Sequence, residues 1–281
     1  MSKLKNLSRY FYLLKRHWFG ITSSFRELPD FIIIGAAKSG TTSLYYYFNK
    51  HPSIIESFKK EIGFFDDNFN LGLSWYRSWF PTIFVKNIIS KKNGKCLIYE
   101  ASPGYFQRPW AIERISNGLP NVKLILVLRN PVDRTFSHYQ HSTRRGIKTK
   151  IPFKELLDRD FKKFENISSI DEEYFKKFVQ NSYIGPSIYV KLIKEWLKFY
   201  SLEQLLIIST EELADEPNKI LRKMFNFLQI EYYEIDTTER QNVGGNYCPM
   251  EPEIRQKLID FFKPFNEELY KIINQRFDWD K

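Results

Sequence analysis

The chain has 281 residues, 43% of them apolar, 17% aromatic and 27% charged. That is ordinary globular composition with ample material for a core, and it excludes a disordered chain, a collagen or a coiled coil. Lys and Arg number 43 against 33 Asp and Glu, a net charge of +10. With a pI near 9.3, this suits an anionic ligand, a polyanion or a membrane surface without choosing among them.

Residues 1–29 read as an extension ahead of one domain, 30–281. Leu4, Leu7, Phe11, Leu14 and Trp18 recur at helical spacing, with Lys3, Lys5, Arg9, Lys15 and Arg16 between them. Such a basic amphipathic helix either packs on the domain or lies on an anionic membrane through residues 1–20. Phe31–Ile34 is a short continuous apolar run, the mark of a fully buried strand of a parallel sheet. Gly35–Gly40 follows, then a helical stretch over 41–49 that His51 and Pro52 end, because the residue before a proline avoids the helical region. Further strands are expected at 97–100, 123–128 and 204–209, with helices at 109–118, 131–145, 186–199 and 217–228. Residues 252–275 read as two helices broken at Pro264. Strands alternating with helices predict an α/β fold, a parallel sheet covered on both faces.

Two cysteines, Cys96 and Cys248, cannot build a disulfide framework, and no Cys-x-x-Cys or His/Cys cluster predicts a metal. No run approaches the ~20 apolar residues of a membrane span. The N-terminus lacks the apolar stretch and cleavage site of a signal peptide. The expectation is a cytoplasmic chain.

Two constellations carry the chemistry. Gly35-Ala-Ala-Lys38-Ser39-Gly40-Thr41-Thr42-Ser43 lies between a buried strand and a helix N-terminus, where outward N–H groups and the helix dipole favour an anion. The hydroxyls add donors and Lys38 a point charge. This is not a Walker A loop, which ends in Gly-Lys-[Ser/Thr]; here the lysine precedes the last glycine by two residues. The second constellation, Arg129-Asn-Pro131-Val-Asp133-Arg134-Thr-Phe-Ser137, puts an arginine at the C-terminal end of a buried strand, where open α/β sheets bind ligands. Arg129 and Ser137 make a natural phosphate clamp, or Arg129 pairs with Asp133 at the helix start. Two anion sites at neighbouring strand ends suit a ligand with phosphates at both ends.

Together these segments resemble the sulfotransferases that use 3′-phosphoadenosine 5′-phosphosulfate (PAPS), in the heparan-sulfate-type branch and its bacterial relatives. Lys60-Glu61-Ile-Gly-Phe64-Phe65-Asp66, Gly72-Leu-Ser-Trp75-Tyr76, Glu100-Ala-Ser-Pro103-Gly-Tyr105-Phe106, Ser137-His-Tyr139-Gln-His141, Tyr189 with Trp196, and Arg276-Phe277-Asp278-Trp279 extend the likeness in order over about residues 30–279. The resemblance implies a P-loop-NTPase-like three-layer fold and sulfuryl transfer from PAPS to a hydroxyl or amine of a glycan or glycolipid. It implies that Lys38, Ser39, Gly40, Thr41 and Thr42 hold the 5′-phosphosulfate, that Arg129 and Ser137 hold the 3′-phosphate, and that Glu61 is the general base. Lys38 would neutralise charge on the leaving oxygen, and His141 matches an acceptor-contacting position and is the fallback base. No metal is called for. Arg144, Arg145, Lys148 and Lys150 form a basic stretch beyond the second motif that either grips an anionic acceptor or is a solvated surface.

The chain also departs from the pattern. Heparan sulfate 3-O-sulfotransferases carry Glu-Lys-Thr-Pro where Glu100–Pro103 stands, and a histidine where Gly63 stands. Their disulfide loop cannot form here, and Gly244–Cys248 replaces it as a candidate cover for the nucleotide. These differences bear on the acceptor and leave the donor site intact. The competing readings are a P-loop kinase, which lacks its Gly-Lys-[Ser/Thr] and a strand-end aspartate for Mg²⁺, and a non-enzymatic polyanion-binding module. The latter would show a basic stripe with interleaved stacking aromatics, whereas the aromatics here fall at core-like spacing, so no nucleic-acid partner is expected.

Overall fold

The computed structural model describes residues 18–146, 151–164, 172–179, 181–238 and 249–279. Strand β1 (Phe31–Gly35) is buried along its whole length, and each fully covered Phe or Ile stabilises the fold by about 1.5–3 kcal/mol. It forms the centre of a parallel sheet with β2 (Ile54–Glu56), β3 (Leu97–Ala101), β4 (Lys123–Leu128) and β5 (Leu205–Ser209), in the order β2-β3-β1-β4-β5. The continuous apolar runs in the sequence are therefore strands covered on both sides.

Alternation along the strands divides the core into two layers. Ile32, Ile34, Leu124, Leu126 and Leu128 face one apolar cluster. Phe31, Ile33, Ile125 and Val127 face a second, which includes Leu44 and Phe48 of α1 (Thr41–Asn49) and Leu221, Met224 and Phe225 from the C-terminal part of the chain. This is the expected three-layer arrangement.

On the β2 side the chain runs through α2 (Gly72–Arg77) and α3 (Ile83–Asn93) before β3, and α4 (Pro109–Gly118) leads to β4. Helix α5 (Pro131–Arg144) starts directly after β4, with Pro131 in its first turn and the Asn130 side chain accepting from Val132 N–H at 3.0 Å. After it come α6 (Phe153–Phe164), α7 (Glu172–Val179) and α8 (Tyr189–Trp196). Beyond β5 stand α9 (Thr210–Asp215), entered through a Ser209/Glu212 capping box, then α10 (Pro217–Leu228) and α11 (Pro252–Ile273).

Two expectations are corrected. Residues 252–273 form one helix that continues through Pro264. Pro264 is exposed, while Leu258 and Phe262 before it and Asn266, Leu269 and Tyr270 after it are buried. Packing of both halves outweighs the one backbone hydrogen bond a proline removes. The helix expected over 186–199 is a short 3₁₀ turn, Gly185–Ser187, followed by α8, because Ile188 leaves helical geometry at ψ 67°. Strand β2 and helices α2, α3, α6, α7 and α9 were not anticipated. Of the amphipathic helix expected to carry Leu4, Leu7, Phe11, Leu14 and Trp18, residues 1–17 lie outside the described residues, and residues 18–21 are helical. Residues 23–25 form a 3₁₀ turn, and Arg26 is buried, donating to Phe80 O at 2.6 Å and pairing antiparallel with Thr82.

Candidate functional site

Register decides where the two anion-binding segments meet. β1 and β4 are neighbours, with Gly35 opposite Leu126. Leaving β1 the chain turns toward the β3 side, and leaving β4 it turns toward β5, so the two loops diverge and open a crevice between them.

The loop after β1 is held in an uncommon conformation. Lys38 has φ 74° and Gly40 φ 78°, the left-handed region that costs a lysine about 1–3 kcal/mol and a glycine little. Gly40 is the N-cap of α1 and no side chain caps that end, so first-turn N–H groups stay available to an anion. Ser39 and Thr41 are buried, and Lys38 and Thr42 are half-buried.

Several buried and half-buried groups brace this loop. The Arg129 guanidinium donates to Lys38 O at 3.4 Å, which ties the two motifs together. The Arg134 side chain, 1% exposed, donates from Nε to Ala37 O at 3.2 Å and from Nη1 toward Tyr183 O and Ser187 Oγ at 3.3 and 3.4 Å. Burial lowers its pKa to about 10, which leaves it charged at neutral pH. Thr210 Oγ1 lies 2.8 Å from both Ser39 O and Leu128 O, bridging loop and strand, and the Tyr189 hydroxyl donates to Arg129 O at 2.9 Å. Behind them, Glu211 accepts from Asn130 N–H at 2.9 Å and from Trp279 Nε1 at 3.2 Å, fastening the C-terminal segment under the second motif.

Asp133 pairs with Arg255 at 2.8 Å. The alternative Arg129–Asp133 pair is thus replaced, and Arg129 is turned to the loop after β1. Ser137 lies half-buried about two turns into α5.

Electrostatics converge on Lys38. Its ammonium pKa is lowered, first by burial and then by the charges of Arg144, Arg129, Arg134 and Arg145. His141 is lowered by burial and by Lys38, Arg145 and Arg144, so it is a neutral imidazole at pH 7 and faces the same positive field. Arg144 and Arg145 therefore act on the loop, while Lys148 and Lys150 lie outside the described residues, as do Gly244–Cys248.

Glu61 is exposed with φ 56°. Its N–H donates to Ala101 O at 3.0 Å, which places it beside the C-terminal end of β3, adjacent to β1. Its neighbour Lys60 reaches the loop: Lys60 Nζ donates to Thr42 Oγ1 at 2.9 Å. Gly63 has φ 64°, a left-handed conformation in which any residue with a Cβ is strained, so a histidine such as the 3-O-sulfotransferase pattern carries would be strained in this turn. Glu100 is fully buried; the Tyr105 and Tyr76 hydroxyls interact with its carboxyl without closing on it, and burial pushes its pKa up to about 8.

Lys60, Arg134 and Thr210 are the site residues that sequence reasoning did not assign. Lys60 sat in an apparently solvated charge run, and Arg134 was within the second motif without a role. Thr210 directly follows a strand, a position that could have flagged it.

Fold and site define a class: a P-loop-like α/β protein whose strand-end crevice presents helix N–H groups, hydroxyls and clustered cations to an anionic ligand. A nucleotide carrying a 5′-phosphosulfate and a 3′-phosphate fits a set in which Lys38 and Arg129 carry positive charge, the α1 N-terminus offers N–H groups and Thr41, Thr42 and Ser137 offer hydroxyls. The sulfotransferase domain model matches residues 28–263, and the chain belongs to that family. It is 30% identical to the membrane-associated sulfotransferase kil1 of Dictyostelium discoideum, over 90% of this chain and 66% of that protein. It is 29% identical to human heparan sulfate glucosamine 3-O-sulfotransferase 5, over 90% of this chain and 75% of that one. It spans only 31% of the bifunctional heparan sulfate N-deacetylase/N-sulfotransferase 1 of Caenorhabditis briggsae, at 27% identity over 91% of this chain. The crystal structure of a sulfotransferase from Alicyclobacillus acidocaldarius superposes with a TM-score of 0.67 at 28% identity, covering 91% of this chain and all of that one.

Proposed function

We propose that the protein moves the sulfuryl group of PAPS to a hydroxyl or amine of a glycan or glycolipid by in-line displacement. The observation that carries this reading is the hydrogen bond from Arg129 to Lys38 O, which makes one crevice of two anion-binding motifs. PAPS, when bound, supplies a sulfuryl group already activated for transfer. The chain's own residues do the positioning and charge compensation, which dominate in such transfers.

Lys38, the α1 N-terminus and the Thr41 and Thr42 hydroxyls hold the 5′ end and offset negative charge on the leaving oxygen. Lys60, anchored on Thr42, adds a second ammonium there. Arg129 and Ser137 hold the 3′-phosphate. The Glu61 carboxylate, at the open edge of the crevice, takes the proton of the acceptor group, a contribution of about 10²–10⁴-fold. His141, neutral and in the same field, contacts the acceptor.

An acidic glycan as acceptor is supported by the names of the heparan sulfate relatives and by Arg144 and Arg145 beside the loop. The changes at Gly63 and Ala101 separate this site from the 3-O-sulfotransferase pattern, so heparan sulfate itself is not the proposed acceptor. Among the described residues no helix is long and apolar enough to cross a membrane. A peripheral membrane location is supported by the basic sequence of residues 1–20 and by the name of the Dictyostelium relative. The small number of cysteines, with Cys96 a buried free thiol, supports a reducing compartment such as the cytoplasm.

Calorimetry with PAP, the desulfated donor product, against ADP and ATP tests the reading. Selective PAP binding that is lost in Arg129→Ala is the expected result. Equal affinity for all three nucleotides, or PAP binding indifferent to Arg129→Ala, would overturn it.

A further inference from the structure

Helix α3 (Ile83–Asn93) is amphipathic and turned inside out. Its inward face is the polar one. Lys86, Ile89, Ser90 and Asn93, spaced at helical intervals, are the half-buried positions. Lys86 is paired with Asp30 at 2.9 Å, and Asn93 donates to Pro52 O at 2.9 Å while its carbonyl accepts from Ser53 Oγ at 3.0 Å. No residue of the helix is buried. Apart from Ile89 its apolar residues are exposed: Ile83, Val85, and, one turn apart, Phe84 and Ile88 at 66% and 67%. A helix of a soluble domain ordinarily buries that stripe.

A second group of exposed apolar side chains stands beside it. Trp18, Ile21 and Phe25 are each at least 60% exposed. The Arg26–Thr82 bridge and the Glu27 N–H to Pro81 O bond of 3.1 Å hold this segment against the start of α3. Two groups of exposed apolar side chains, one on residues 18–25 and one on α3, thus lie on segments joined at Arg26–Thr82, and exposed apolar groups of this kind mark an interaction surface.

The charges around this face select its partner. Lys91 and Lys92 close the last turn of α3 on the same side as Ile88, and both are exposed. Residues 1–17 precede Trp18 in the sequence and carry Lys3, Lys5, Arg9, Lys15 and Arg16 among apolar residues. Aromatic and aliphatic side chains bordered by lysines suit the boundary between the acyl chains and headgroups of an anionic bilayer. A protein partner would have to be both apolar and acidic to match it.

We propose that α3 and residues 18–25 form a docking surface for an anionic lipid membrane. Lys86 reaches Asp30, which immediately precedes β1, so the middle of α3 stands at the end of the sheet opposite the anion loops. Docking through this face leaves the strand-end crevice open to the aqueous side. The bound enzyme then acts on acceptor groups that extend away from the bilayer or arrive from solution.

The test is co-sedimentation with vesicles of phosphatidylcholine alone or mixed with phosphatidylglycerol, using the full chain, Phe84→Ser/Ile88→Ser, Lys91→Glu/Lys92→Glu and a chain lacking residues 1–17. The wild type should bind the anionic vesicles, and Phe84→Ser/Ile88→Ser should weaken this about tenfold or more. Lys91→Glu/Lys92→Glu should erase the preference for anionic over neutral vesicles. The thermal midpoint of the double serine variant, unchanged from wild type, shows that the exposed substitutions leave the fold intact. The proposal is overturned if the wild type ignores anionic vesicles, or if the serine variant binds as tightly as wild type and only loss of residues 1–17 abolishes binding. It is also overturned if the serine variant converts a lipid-free dimer to monomers, which would make the face a contact between two copies of this chain. PAP affinity reads out the donor crevice separately, so a failure of the sulfotransferase reading would be seen there and not in the vesicles.

Discussion

Lys60 and Thr42 stand 18 residues apart in the chain, and the Lys60 ammonium donates to Thr42 Oγ1 at 2.9 Å. Burial lowers the Lys60 pKa while the adjacent Glu61 carboxylate opposes the shift. This bond joins the segment bearing Glu61, the proposed base, to the first turn of α1.

Replacing Lys60 by Met keeps the length of the stem and removes the charge. PAP affinity should fall about tenfold, equivalent to ~1.4 kcal/mol. Thr42→Val combined with Lys60→Met should cost less than the sum of the two single changes, since they share one interaction. Additive losses in titration calorimetry would mean that the contact is not used.

Glu61→Gln preserves shape and removes the proton acceptor. Turnover should drop by about 10²–10⁴-fold with PAP affinity unchanged. A fully active Glu61→Gln enzyme in a sulfate-transfer assay would end its assignment as base and shift attention to His141.

Arg134→Lys keeps one charge but loses the planar fork that reaches Ala37 O, Tyr183 O and Ser187 Oγ. Buried acceptors left without partners cost about 1–3 kcal/mol each. Chemical denaturation should show a loss of at least that size, and PAP binding should weaken with it because Ala37 lies inside the anion loop.

Glu100 predicts a pH dependence of stability. Its carboxyl pKa is raised from an ordinary value near 4.5 to about 8 by burial, so in the window between those values the unfolded state releases a proton that the folded state keeps. Stability associated with this group is complete below the lower value, declines as pH rises through the window by about 1.4 kcal/mol per unit, and levels off above the upper one. Denaturation midpoints at pH 6 and pH 9, values chosen to span the roughly neutral range, should differ less in Glu100→Gln than in wild type.

Pro264 sits exposed in a continuous helix. Pro264→Ala restores a backbone donor and relieves ring crowding, and should stabilise the protein by about 1–3 kcal/mol. A lower thermal midpoint in that variant would show that the proline is needed for the packing of α11.

The strands, and the two segments proposed to bind anions, were legible because their signals are local. Phe31–Ile34 and Lys123–Leu128 are runs that only a doubly covered strand explains, and a glycine-bounded loop entering a helix is an anion site by backbone geometry alone. Strand β2 is three residues long, too short for its pattern to stand out. Pro264 misled because a proline's local effect is readable in sequence, whereas the burial of Phe262 and Asn266 on either side of it is not.

What the sequence determined by itself was the α/β class, the two motifs and the family likeness, since each rests on residues adjacent in the chain. Tertiary structure alone decided that Arg129 turns to Lys38 O while Asp133 goes to Arg255, that Lys60 reaches Thr42, and that α3 presents its apolar side to solvent. Each of these depends on strand order and on which face of a helix meets the core. Those are set by the summed burial of distant segments, a quantity that no local window of sequence contains.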